Sequence, residues 1–221
     1  MKSILMSIRP QYVAKILNKE KTIEIRKKFP KDYVGWVYIY CTAEDKNGYL
    51  IRNRSTKKCE FTYNGFVKSV CWSANRKVVA RFWCDKVEDI ECIASDNGFA
   101  IERYITKELS VVDIMEKSCL YFEDLKDYLY YSNGYAIHIT KLEIFDKPKE
   151  LWQFKTPKNA EKFKRDLDKA YEDDYEIGTR IAEGIANDDE CANCVELTEL
   201  SEGYYGLKKP PQSWCYVEVA E

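Results

Sequence analysis

The chain has 221 residues, 45% of them hydrophobic and 33% charged, with a formal net charge of −2, a globular balance that excludes a disordered tract and a protein built of apolar membrane spans. That length suits one core carrying insertions. Nine cysteines, an odd number, lie scattered without the spacing of a secreted disulfide framework, and Met1 to Pro10 holds no apolar stretch long enough for a signal peptide, so the expectation is a cytoplasmic protein with reduced thiols.

Ile4 to Ile8 reads as a short apolar strand that hands over at Arg9-Pro10 to a helix, because proline suits a first helical turn. The helix, Pro10 to Asn18, sets Val13, Ile16 and Leu17 on one face. Thr22 to Arg26 alternates, with Ile23 and Ile25 toward a core and Thr22, Glu24 and Arg26 on a polar face. Val34 to Thr42 is a third strand, in which Val37, Ile39 and Cys41 oppose Trp36, Tyr38 and Tyr40; neither face is polar enough for full exposure, which places it centrally. Val78 to Cys84 reads as a fourth strand, Tyr135 to Phe145 as a fifth closed by Asp146-Lys147-Pro148, and Trp214 to Val219 as the last.

Three connections are longer than a compact domain needs. Glu44 to Arg76 is basic: from Lys46 to Lys77 there are eight Lys or Arg residues against one acidic residue. Glu88 to Asn133 contains Tyr121, Phe122, Leu125, Tyr128 and Leu129 at helical spacing, with Asn133-Gly134 as the expected stop. The third starts at Thr156-Pro157 as a helix and enters an acidic run, where Glu172 to Glu202 holds eleven Asp or Glu residues and one Arg. These features describe one α+β domain, a small mixed β-barrel with peripheral helices, with a basic insertion at about 44–76 and a helical, acidic insertion at about 156–205 before the last strand.

The stretch richest in chemistry is Lys19 to Arg26. On a strand Glu24 and Arg26 share a face, where a fork of donors beside an acceptor could read the edge of a base. The plain alternative is a surface ion pair worth about 0 to 1 kcal/mol. Lys21-x-x-Glu24-x-Arg26 resembles the G-x-K-x-x-E-x-R signature of the ASCH family, within the PUA-like superfamily, with Lys19 standing where that signature has glycine. Leu5 to Tyr12 looks like the family's opening strand and helix entry, and Lys209 to Glu218 is similar to the closing strand of phage and bacterial ASCH-type proteins.

The resemblance implies a cleft between the first helix and the barrel that takes RNA, another nucleic acid, or a modified base or nucleotide. Arg9, Tyr12, Lys21, Glu24, Arg26, Gln212, Ser213 and Trp214 are its expected ligand-binding residues. Ser7 is a further candidate donor or acceptor, and Trp36 joins Tyr12 and Trp214 as a stacking candidate, although large aromatics are more often core. Arg52, Arg54, Lys57 and Lys58 in the basic insertion are expected phosphate contacts. One branch of the family hydrolyses N4-acetylcytidine. In this chain Lys21 and Glu24 would be its catalytic pair, but Glu24 replaces that branch's threonine, and a neighbouring carboxylate is expected to keep the lysine protonated. A third reading is a phage or prophage interaction module whose acidic insertion meets a protein partner.

Other signals are weak. Cys191-x-x-Cys194 is half a zinc site with no second half evident, so no metal is expected. The single histidine, His138, cannot build the usual zinc-hydrolase set. Glycine-rich phosphate loops are absent from the sequence, and no cofactor is expected.

Overall fold

The computed structural model describes residues 2–42, 49–53, 55–62, 70–94, 101–130, 132–173 and 205–219. The opening strand β1 (Ser3–Ile8) is buried over its whole length. Helix α1 (Pro10–Leu17) follows directly, with Pro10 in its first turn and Val13, Ile16 and Leu17 buried. The chain reverses through Asn18 and Lys19, where the Glu20 and Lys21 amides both donate to the Lys15 carbonyl, at 2.9 and 3.2 Å. Lys19 holds φ 63°, a left-handed conformation that glycine adopts without steric cost.

Strand β2 (Ile23–Arg26) comes next, and β3 (Gly35–Cys41) then runs parallel to β1. Beyond them come β7 (Lys77–Cys84), β11 (Thr140–Lys149), β12 (Phe154–Lys155) and β13 (Trp214–Val219). With β1 and β3 these build a six-stranded sheet in the order β11-β7-β3-β1-β13-β12. As the alternating aromatic pattern anticipated, β3 is central. A second sheet has the order β2-β10-β8-β9, using β8 (Val87–Ala94), β9 (Ile101–Ile105) and β10 (Gly134–His138). The sheets curl as half-barrels, and the fold is α+β. The largest core cluster joins β1, α1, β3 and β7 through Ile4, Met6, Ile16, Ile39 and Phe82. A second cluster, around Ile23, Ile25, Tyr104, Ile114 and Leu125, fastens β2 to α2 (Val111–Ser118) and α3 (Phe122–Leu129).

The structure corrects the sequence reading in several places. Tyr135 to Phe145 is two strands in different sheets, because the chain changes partners at Ile139, whose amide donates to the Thr22 carbonyl at 2.9 Å. β11 also continues through Asp146-Lys147-Pro148 to Lys149. An edge strand tolerates proline there, since no inner ladder needs its missing N–H.

The basic connection folds as a small sheet of its own, β5-β4-β6, made of β4 (Tyr49–Asn53), β5 (Cys59–Thr62) and β6 (Val70–Ser73). It clips onto the end of α1: the Asn18 side chain donates to the Cys59 carbonyl at 2.8 Å and accepts its amide at 2.9 Å. The connection from Glu88 to Asn133 contains β8, β9 and α2 as well as the expected helix. That helix, α3, stops at Tyr130, held at φ 50°. Gly134 instead begins β10, where a Cβ would lie 3.1 Å from the Arg26 carbonyl oxygen and 2.7 Å from Leu129 Cδ2. Helix α4 (Pro157–Asp173) confirms a helix start at Pro157, while Arg54, Cys191, Cys194 and most of the acidic run lie outside the described residues. Among the described residues no helix is long and apolar enough to cross a membrane.

Candidate functional site

The three charged residues of the signature stretch converge. Glu24 Oε2 lies 3.3 Å from Lys21 Nζ, and Glu24 Oε1 lies 3.0 Å from Arg26 Nη2. All three are buried, at 2% exposure for Lys21, 7% for Glu24 and 8% for Arg26. This rules out the surface ion pair: the polar face of β2 is polar but roofed, so these charges interact in a poorly screened environment.

Each charge has further partners that hold it in place. Arg26 Nη2 also donates to the Ser7 carbonyl at 2.7 Å, and Nη1 reaches Ser213 Oγ at 3.4 Å. Lys21 Nζ donates to the Ser118 carbonyl at 2.7 Å and lies 5.5 Å from the centre of the Tyr12 ring. Ser118 is the last residue of α2, so its carbonyl belongs to the negative end of that helix and favours the ammonium. Burial nonetheless dominates: it pushes the Lys21 amine below its ordinary pKa, and Glu24 opposes the shift without cancelling it. The expectation that the neighbouring carboxylate keeps this lysine protonated left out burial, the larger cause, which acts the other way.

These heads form one end of a cavity of about 590 Å³, within the size range of small-molecule sites. Its lining brings together Ser7, Arg9, Tyr12, Lys21, Glu24, Arg26, Gln212 and Ser213, contributed by β1, α1, β2 and the segment before β13. Ser7 and Ser213 are held there by each other's surroundings: the Ser7 amide donates to the Ser213 carbonyl at 2.9 Å, and Ser7 Oγ donates to the Pro211 carbonyl at 2.7 Å. Arg26 Nε is buried without a hydrogen-bond partner among the described residues, an unspent donor on a side chain that lines the cavity.

Two of the aromatic candidates are elsewhere. Trp214 donates its indole N–H to the Lys28 carbonyl at 2.7 Å and packs edge-on against Phe29 and Tyr216. Trp36 stacks under the Arg81 guanidinium, 4.1 Å from ring centre to Cζ, and meets Trp83 edge-on. Neither lines the cavity. Arg52 lies on β4, and Lys57 and Lys58 in the turn between β4 and β5, at the C-terminal end of α1, whereas Arg9 and Tyr12 belong to its N-terminal end. None of the described residues of the basic insertion lines this pocket.

Sequence reasoning missed a whole side of the cavity, formed by Leu120 and by Asp124, Asp127 and Tyr128 of α3. The amphipathic spacing around Leu125 and Leu129 revealed the helix but not what its other face overlooks. Asp124 is close enough to Tyr12 that, after burial, its charge is the next cause raising the phenol's pKa.

A second polar cluster lies on the β8-β9-β10 side. Glu88, 6% exposed, accepts from Thr106 Oγ1 at 2.5 Å, lies 2.7 Å from His138 Nε2 and pairs with Lys86 at 3.1 Å. Its pKa is lowered: burial raises it, but the Thr106, Lys86 and His138 hydrogen bonds together outweigh burial. Among the described residues no group of three or more metal-ligating side chains gathers to hold an ion.

No family model matches the chain, and no curated protein does. Among solved structures, the crystal structure of ASCH from Zymomonas mobilis is 12% identical, with a TM-score of 0.40 over 67% of this chain and 73% of that one. Two single-substitution variants of the same protein score 0.39 and 0.38 at the same identity.

Proposed function

We propose that the cavity binds a nucleobase or nucleoside, reading the base edge with Lys21, Glu24 and Arg26. The observation that carries this reading is the buried triad, which offers donors and an acceptor side by side beneath a cavity of about 590 Å³. A heterocycle has the same mix of donors and acceptors on its edge, and buried polar groups discriminate strongly because a mismatched partner leaves one unpaired. Arg26 Nε supplies a donor that no group among the described residues uses. The faces of the base would lie against the half-buried Tyr12 and the partly exposed Tyr128, since every base has a π-face that stacks on aromatic surface.

Calorimetric titration of the full chain with adenosine, guanosine, cytidine, uridine and N4-acetylcytidine tests the reading. At least one is expected to bind, and Arg26→Lys is expected to weaken that binding by about tenfold or more through loss of the forked donor geometry. Absence of binding for every probe would defeat it.

A second reading, hydrolysis of an acylated cytidine, is favoured by one observation: burial lowers the pKa of the Lys21 amine, which raises its fraction of free base near neutral pH. In that chemistry the amine would take a proton from water as water attacks the acyl carbon, Glu24 would hold the resulting ammonium, and the ammonium would return the proton to N4 as the C–N bond breaks, releasing cytidine and acetate. Mass analysis after incubation with N4-acetylcytidine would detect cytidine and acetate, and an intact substrate would dismiss the reading.

A further inference from the structure

The base end of the cavity holds two cations against one carboxylate, Glu24 being shared by Lys21 and Arg26. Its mouth has a different balance. The lining there adds the exposed Arg9 but also the exposed Asp124 and Asp127 of α3, so the whole lining holds three cations and three carboxylates. The helix itself fixes where these two carboxylates sit. Leu125 and Leu129 are buried in the second core cluster, which turns the 124, 127, 128 stripe the other way; residues three and four apart share one face of a helix. Asp124 is further anchored by accepting the Tyr121 amide at 3.1 Å.

A phosphate entering this mouth would face two carboxylates against the single cation Arg9, while the charge of the two deeper cations is already shared with Glu24. A sugar fits better. Carboxylates accept hydrogen bonds from vicinal hydroxyls, as acidic residues do at the ribose of dinucleotides. We infer that the pocket selects an unphosphorylated ribonucleoside over its nucleotide, with Asp124 and Asp127 accepting from ribose hydroxyls and repelling phosphate. This rests on the base-binding reading, and extends it to what the base is attached to.

The experiment titrates wild type and the Asp124→Asn/Asp127→Asn double variant with the five nucleosides named above and with their 5′-monophosphates. Wild type is expected to bind its preferred nucleoside at least about tenfold more tightly than the matching monophosphate. In the double variant, which keeps an acceptor oxygen at both positions, the gap is expected to close to within roughly threefold. Raising salt from about 0.05 to about 0.5 M should narrow the wild-type gap as well, because exposed charges are screened, and this measurement stands even if the variant does not fold. A monophosphate that binds wild type as tightly as its nucleoside, or a gap that neither salt nor the variant changes, would overturn the inference while leaving the base-binding reading intact. Failure of all ten probes to bind would instead remove that reading and the inference with it.

Discussion

Replacing Glu24 with glutamine perturbs the site at its charge-sharing centre. The carboxylate sits between two buried cations, at 3.3 Å from Lys21 Nζ and 3.0 Å from Arg26 Nη2. An amide of the same shape can accept from one of them, but it presents its NH₂ to the other. Removing one partner of a buried ion pair costs about 3 to 5 kcal/mol, and the retained acceptor places Glu24→Gln near the lower end, at about 3 kcal/mol. For a chain of this size that corresponds to a fall in melting temperature of roughly 6 to 12 °C.

The pH dependence distinguishes lost charge pairing from poor packing. An amine whose folded pKa lies below its unfolded value gives up a proton on folding between the two, so stability climbs with pH across that window. Burial puts Lys21 in this class, with an ordinary value of 10.5, and Glu24 limits the depression. Without Glu24 the window opens at lower pH. The variant's deficit should therefore be largest near pH 6 and shrink toward pH 10, without vanishing, because Arg26 also loses its carboxylate partner. Urea unfolding of both proteins at several pH values measures it. A deficit below about 1 kcal/mol, or one that widens as pH rises, would refute the account of the triad.

Further outcomes follow from single contacts. Lys19→Gly is expected to stabilise the chain by roughly 0.5 to 1 kcal/mol, since the left-handed strain at φ 63° outweighs the entropy glycine loses on folding; thermal unfolding would show a rise of a few degrees. Gly134→Ala should cost about 1 to 3 kcal/mol, because the added Cβ meets the Arg26 carbonyl oxygen at 3.1 Å, and an unchanged melting temperature would count against that packing. Asn18→Ala removes both hydrogen bonds to the backbone of Cys59, a residue only 2% exposed, at about 1 to 3 kcal/mol. Amide exchange should then quicken across β4 and β5 while β1 and β3 remain protected.

What the sequence revealed and what it hid divide along physical lines. Lys21, Glu24 and Arg26 are near neighbours whose convergence follows from one turn and the period of one strand, and the register of β2 on β10, Glu24 opposite Ile137 and Arg26 opposite Tyr135, preserves it. Burial of that face could not be read, because the roof comes from elsewhere in the chain. The basic stretch looked like a connection because its charges surround the few apolar residues, Leu50, Ile51 and Cys59, that are buried. Trp214 and Trp36 resembled stacking surfaces by composition, yet each ring already has a neighbour: the Lys28 carbonyl and Phe29 for one, Arg81 and Trp83 for the other.

The long excursion between β8 and β10 has a structural consequence that its sequence position conceals. The Thr22 amide donates to the Lys117 carbonyl at 2.8 Å, and Lys21 Nζ donates to the neighbouring Ser118 carbonyl at 2.7 Å. The turn that delivers the triad is thus bonded to the C-terminal end of α2, and α3 begins a few residues later, at Phe122. A shift of α2 would pull on the Lys21 amine and carry Asp124 and Asp127 with it. The buried triad and the two carboxylates of α3 are in this way set by one attachment, so a substitution that loosens α2, such as Ile114→Ala in the second core cluster, should weaken ligand binding as well as stability. The cavity left by that change costs about 2 to 5 kcal/mol. Weakened stability with unaltered affinity for the same nucleoside would show that the attachment does not position the site.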